Sequence, residues 1–158
     1  MSKERKSGTL YIVGPCYNEE EAIELSIKKL KEKLSELVEK QIISNKSKIV
    51  LVDDGSKDNT WEIIKKTYEE DKRIVGLRFA HNRGHQNAIL AGMMYSKEFC
   101  DFSITIDADL QQDINAMEKF IEEYYKGNEI VYGVRNSRDT DGFLPDYTTF
   151  FHGLSSKC

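Results

Sequence analysis

Lys48-Ile49-Val50-Leu51-Val52-Asp53-Asp54-Gly55-Ser56 runs through four consecutive aliphatic residues and stops at two carboxylates and a glycine. The run is short, lacks a helical period and is rich in β-branched side chains, so it predicts a buried strand. Asp58 then offers an N-cap for a helix reaching about Tyr68. Strand, acidic turn and helix together make one unit of an α/β chain.

The same unit recurs on both sides. Upstream, Leu10-Tyr11-Ile12-Val13 reads as a strand ending at Gly14-Pro15. From Glu19 to about Lys40, the residues Ala22, Ile23, Ile27, Leu30, Leu34, Leu37 and Val38 recur three or four apart among charges, which predicts an amphipathic helix. Downstream come a strand at Ile74 to Phe79, a helix from about Gln86 to Ser96, a strand at Phe102 to Ile106, a helix from Asn115 to Tyr125 and a strand at Ile130 to Tyr132. Such alternation predicts a mainly parallel sheet covered on both faces, with ligands bound beyond the carboxyl ends of the strands.

Three of those strand ends carry polar clusters: Pro15-Cys16-Tyr17-Asn18-Glu19, Asp53-Asp54-Gly55-Ser56 and Asp107-Ala108-Asp109-Leu110-Gln111. In the last, a small residue between two carboxylates leaves room for a close ligand, and hard oxygen donors suit Mg2+ or Mn2+ held jointly with substrate phosphates. Helix capping accounts for one Asp but leaves Asp107 at an otherwise apolar strand end, where a carboxylate calls for a partner such as a metal or a substrate. In Asp53-Asp54, an Asx-turn or N-cap accounts for one acid, and the other is available to a base or ribose. Tyr17 offers a ring, and Asn18 and Glu19 offer hydrogen-bonding groups. Arg83 and Arg135 are candidate diphosphate contacts. Cys16 reads as a small buried filler, and His81, His85 and His152, which lack ligand spacing, as ordinary loop and helix residues.

Composition narrows the class. With 158 residues, 39% hydrophobic and 32% charged, the chain fits one globular domain, and a net charge of -4 with Lys and Glu mixed along helices argues against nucleic acid as a partner. Cys16, Cys100 and Cys158 form neither a disulfide framework nor a zinc motif, which points to a reducing cytoplasm. No apolar window is long enough for a transmembrane helix. G-x-G-x-x-G, Walker A and G-x-S-x-G strings are absent, which disfavours dinucleotide enzymes, nucleoside triphosphatases and α/β-hydrolases.

Taken in order, Pro15-Cys16-Tyr17-Asn18-Glu19-Glu20, Val52-Asp53-Asp54-Gly55-Ser56, Asn82-Arg83-Gly84, Asp107-Ala108-Asp109-Leu110-Gln111 and Gly133-Val134-Arg135 resemble the family 2 glycosyltransferases of GT-A fold, over about Leu10 to Phe151. Within that family the chain is similar to the polyprenyl-phosphate glycosyltransferases. The resemblance implies a Rossmann-like three-layer fold with a mainly parallel sheet. It also implies a UDP- or GDP-sugar donor, a polyprenyl phosphate acceptor, and inverting transfer assisted by Mg2+ or Mn2+ at the cytoplasmic face of a membrane, in the building of lipid-linked sugars or envelope polysaccharide. By the same resemblance Pro15, Tyr17, Glu19, Val52 and Asp54 line the nucleotide pocket, beside Ala108 and Arg83. Asp107, Asp109 and Gln111 hold the metal, Asp109 being the catalytic residue, and Arg135 touches the diphosphate or the acceptor.

One domain over 1–158 is expected, with its core at about 10–135. The polar stretch from Asn136 onward reads as an irregular tail, with the start of a helix at Thr149 to Leu154 and an end that suggests C-terminal truncation. Phe150 and Phe151 would then favour self-association into a homo-oligomer. The competing readings are a non-catalytic donor-binding or membrane-complex module, a nucleotidyltransferase, and a phosphatase with an Asp nucleophile. A nucleotidyltransferase calls for a Gly-rich basic loop after the first strand, whereas Gly14-Pro15-Cys16-Tyr17-Asn18-Glu19 is acidic.

Overall fold

A computed structural model describes residues 7–108, 114–134 and 147–153. The strands β1 (Leu10–Cys16), β2 (Lys48–Asp53), β3 (Ile74–Arg78), β4 (Phe102–Thr105), β5 (Ile130–Val134) and β6 (Tyr147–Gly153) form one sheet in the order β3-β2-β1-β4-β6-β5. The first four pair in parallel; β6 lies antiparallel between β4 and β5. The helices are α1 (Ile23–Glu39), α2 (Thr60–Glu70), α3 (His85–Ser96) and α4 (Met117–Tyr125), the last preceded by a 3-10 turn at Ile114–Ala116.

Alternation along the strands sorts the core into two layers. Leu10, Ile12, Ile49, Leu51, Ile74 and Ile104 pack with Ile23, Ile27, Leu30, Leu34 and Leu37 of α1, Ile64 of α2, and Met117, Phe120 and Ile121 of α4. The intervening residues Tyr11, Val13, Val50 and Val52 face the other way and pack with Ala88 of α3. Helices therefore cover both faces, as the sequence predicts. α3 lies so close to the sheet that a Cβ on Gly92 would collide with Val13 and stand 3.0 Å from Cγ2 of Val52. Gly92→Ala is expected to lower stability by about 1–2 kcal/mol, because overpacking outweighs the helix-propensity gain of roughly 1 kcal/mol. An unchanged urea midpoint would show that α3 can lift away without penalty.

Three local differences from the sequence expectation have physical causes. β1 continues through Gly14-Pro15 to Cys16, because beyond Val13 it pairs with β2 alone; Pro15 then faces no strand that needs its missing N–H. The N-cap of α2 is Asn59 rather than Asp58, although Asp58 still accepts hydrogen bonds from the Thr60 amide at 2.9 Å and the Thr60 hydroxyl at 2.6 Å. Tyr147–Gly153 is a strand rather than an irregular tail opening a helix. Its β-branched and aromatic residues suit a pleated surface, and β4 and β5 supply partners on both sides. Among the described residues, no helix is long and apolar enough to cross a membrane.

Candidate functional site

The strand order reverses at β1, with β2 and β3 on one side and β4 on the other, and such a switch point opens a crevice at the carboxyl ends of the strands. The register shows how. β1 stays paired with β2 as far as Cys16↔Asp53, but with β4 only as far as Val13↔Thr105. The diverging ends enclose a cavity of about 430 Å³ lined by Pro15, Cys16, Tyr17, Glu19, Asp54, Asn82, Gly84, His85, Ala88, Asp107 and Ala108. All three clusters singled out in the sequence contribute to it.

Its walls are held by reciprocal hydrogen bonds between loops. The amide of Asn18 donates to Oγ of Ser56 at 2.8 Å, and Oδ1 of Asn18 accepts from the Lys57 amide at 2.9 Å. The Glu19 amide donates to Oγ1 of Thr60 at 2.9 Å. Asn18 takes a φ of 50°, which Asn tolerates better than most residues. Ser26 of α1 donates to the carbonyl of Ala108, tying the acidic turn after β4 to α1.

Both acids of the Asp53-Asp54 pair turn out to organise backbone. Asp53 is fully buried; its Oδ1 accepts from the Ser56 amide at 3.1 Å, and Nε of Arg78 lies 3.2 Å from Oδ2. That Oδ2 accepts no geometrically sound hydrogen bond, so the contact with Arg78 is ionic. Asp54 clamps the loop before α3, its Oδ1 accepting from the Arg83 amide at 2.6 Å and its Oδ2 from the Gly84 amide at 3.1 Å. It also lines the cavity, so its carboxylate serves two surfaces.

The other expected site residues divide. Pro15, Tyr17, Glu19, Asp107 and Ala108 line the cavity together with Asp54. Tyr17 is exposed. Val52 does not reach the cavity: its side chain is fully buried in the layer beneath α3, because strand alternation turns it with Val50 toward that helix. Arg83 is exposed and joins the site through its amide. Asp109, Gln111 and Arg135 lie outside the described residues. His85, read with His81 and His152 as an ordinary loop or helix residue, begins α3 and brings Nε2 to 3.3 Å from Oδ1 of Asp107. No motif spacing marks it, since the proximity comes from the fold.

Cys16 is the buried filler expected of it: its thiol is pushed up by burial and then by the neighbouring Asp53 and Glu19. Cys100 is likewise pushed up to about 12, by burial and by Asp101. Both are free thiols. Because the thiolate is the nucleophile, iodoacetamide at pH 8 should leave Cys16 unmodified in the native protein and label it in urea. Mass spectrometry finding rapid native labelling would mean that the cleft opens far wider.

Glu19, Asp54 and Asp107 make the cavity acidic, which repels a diphosphate unless a cation sits between them. The Asp107 carboxylate is about one-third exposed toward the cavity and supplies the hard oxygen donors that Mg2+ and Mn2+ take, so the residues fit such an ion. Among the described residues no three His, Cys, Asp or Glu side chains converge as a metal cluster.

Residues 11–156 match the family model Glycosyl transferase family 2. An uncharacterised glycosyltransferase of Bacillus subtilis, YkoT, is 46% identical over 149 residues, covering 94% of this chain and 44% of that protein. The bactoprenol glucosyl transferase of Shigella phage SfX is 36% identical over 147 residues, covering 92% of this chain and 46% of its own length. The chain thus spans less than half the length of these curated relatives. Among solved structures, the mannosyltransferase PcManGT of Pyrobaculum calidifontis, in complex with GDP-Man and Mn2+, superposes with a TM-score of 0.58 at 19% identity, over 72% of this chain and 31% of that one. A 4-diphosphocytidyl-2C-methyl-D-erythritol synthase of Anaerococcus prevotii superposes at 0.63 with 16% identity, over 92% and 71%, so the scaffold is shared with proteins of other names. The fold is the GT-A type of α/β sheet, and the family match over nearly the whole sequence settles which of its users this is: the chain belongs to glycosyl transferase family 2.

Proposed function

We propose that this chain forms the donor-binding part of an inverting glycosyltransferase, which moves a sugar from a nucleoside diphosphate sugar to a polyprenyl phosphate at the cytoplasmic face of a membrane. The observation that carries the reading is the acidic cavity at the switch point, where the ends of β1, β2 and β4 deliver Tyr17, Glu19, Asp54 and Asp107 to one space. Tyr17 offers a stacking face for the base, and Glu19 and Asp54 offer acceptors for its N–H groups or for ribose hydroxyls. Asp107, with Asp109 and Gln111, would hold Mg2+ or Mn2+ against the diphosphate. The ion would act there as a Lewis acid, stabilising charge on the departing nucleoside diphosphate. Arg83 and Arg135 would contact phosphate oxygens.

In the transfer, an acceptor phosphate oxygen bonds to the anomeric carbon as that carbon's bond to the diphosphate oxygen breaks, with inversion. A phosphate monoester has its second pKa at about 6 and is largely ionised at neutral pH, so the acceptor needs little general-base help. This suits a cavity whose acids organise loops and donor rather than stand poised as bases. The bactoprenol glucosyl transferases among the relatives support the lipid acceptor.

The nucleotidyltransferase alternative is disfavoured because the loop after β1 is acidic and Gly-poor, the reverse of a loop built to cradle a triphosphate. Calorimetry with UDP-glucose, UDP-N-acetylglucosamine and GDP-mannose, each with and without Mn2+, tests the proposal. Metal-dependent binding of one donor is expected and would also name the base. Failure of the folded chain to bind any of the three would overturn the assignment of this cavity as a donor site.

A further inference from the structure

We propose that His85 is a positioning residue for the cation-facing carboxylate of Asp107, fixed in place by Asp54 through the loop that begins α3. This rests on the donor-site reading above and adds to it a residue outside the expected site set. Three observations converge. Nε2 of His85 lies 3.3 Å from Oδ1 of Asp107, and both side chains line the cavity. His85 is the first residue of α3, so its backbone is set by the turn before it. That turn is held by both oxygens of Asp54, through the amides of Arg83 and Gly84, with Gly84 at a φ of 95°. The end of β2 thereby places a side chain against the end of β4, across the mouth that β1 leaves open.

Stability does not explain the contact. His85 is 56% exposed and Asp107 32%, and a pair so wet contributes little to folding. The contact gains importance when a nucleotide and its cation displace water from the cavity, since the same separation is then worth far more in the lower dielectric. An imidazole N–H engaging Oδ1 fixes the carboxylate rotamer and directs the other oxygen at the ion. Histidine is well suited to this position, because when neutral it offers a directional donor on a stiff ring, whereas Lys or Arg would set a permanent positive charge beside the cation. Partners that orient ligating side chains typically change metal affinity by about 10–100-fold when removed.

The test is Mn2+ binding followed by electron paramagnetic resonance, with UDP and with GDP present, on the wild type, His85→Ala, His85→Gln, His81→Ala and Asp107→Ala. The proposal expects His85→Ala to weaken Mn2+ binding by about 10–100-fold with an unchanged melting temperature. His85→Gln, whose amide nitrogen takes the place of Nε2, should recover most of the affinity, and His81→Ala should match the wild type. Wild-type affinity in His85→Ala overturns the proposal while leaving the donor site intact, provided Asp107→Ala still abolishes binding. Nitrogen hyperfine coupling to Mn2+ in the wild type, lost in His85→Ala, overturns it in favour of direct ligation. Equal losses in the Ala and Gln variants, or a lowered melting temperature, also overturn it, by showing that His85 supports the start of α3. Mn2+ binding that is absent from the wild type, or unaffected by Asp107→Ala, removes the underlying reading together with it.

Discussion

Gly55→Ala is expected to destabilise the protein by about 2–5 kcal/mol and to remove nucleotide binding in the fraction that still folds. Two costs add. Gly55 has a φ of 71°, where a side chain costs about 1–2 kcal/mol. Its Cβ would also stand 2.6 Å from the amide nitrogen of Asn82 and from the carbonyl carbon of His81, and forced overpacking adds typically about 1–3 kcal/mol. The intruding atoms meet backbone, which cannot rotate aside as a long side chain could. The functional loss follows from the same displacement, because the pushed segment leads directly into the amides of Arg83 and Gly84 that Asp54 holds. Urea denaturation gives the stability change, and hydrogen exchange at those two amides reports the clamp. If exchange stays slow and the midpoint stays put, Gly55 is a mere turn residue and the 81–84 loop does not depend on it.

The alternation of strand and helix was readable because each element carries its own local period: Leu30, Leu34 and Leu37 mark α1, and the aliphatic run from Ile49 to Val52 marks β2. β6 was not readable. Its partner β4 is remote in sequence, and Tyr147-Thr148-Thr149-Phe150-Phe151 lacks the alternation that would separate a strand from a helix start. At the candidate site, residue type at a strand end was enough to single out Tyr17, Glu19, Asp54 and Asp107, which the fold gathers around one cavity. It did not foresee the packing of Val52, because strand alternation buries that side chain beneath α3. His85 escaped notice for the opposite reason. Its significance lies entirely in a contact made through tertiary structure, and nothing in its neighbours along the chain marks it.

The same distinction governs the second large effect, Asp107→Ala, which is expected to reduce Mn2+-dependent donor binding by at least about 100-fold, beyond the loss from removing an orienting partner. Asp107 follows β4 just past the point where that strand parts from β1, and it is about one-third exposed toward the cavity. Removing it therefore leaves the two core layers untouched, and the melting temperature should change little. Asp109→Ala should act in the same direction if both acids share one ion, and His81→Ala should have no effect. The acidity of the cavity makes the outcome sharper still. With the ion lost, Glu19 and Asp54 remain to repel a diphosphate, so binding should fall below that of a neutral cavity and recover in part at high salt, where the repulsion is screened. Salt-insensitive residual binding would mean that the nucleotide reaches this cleft by its base and ribose alone, and that the carboxylates after β4 serve the turn rather than the donor.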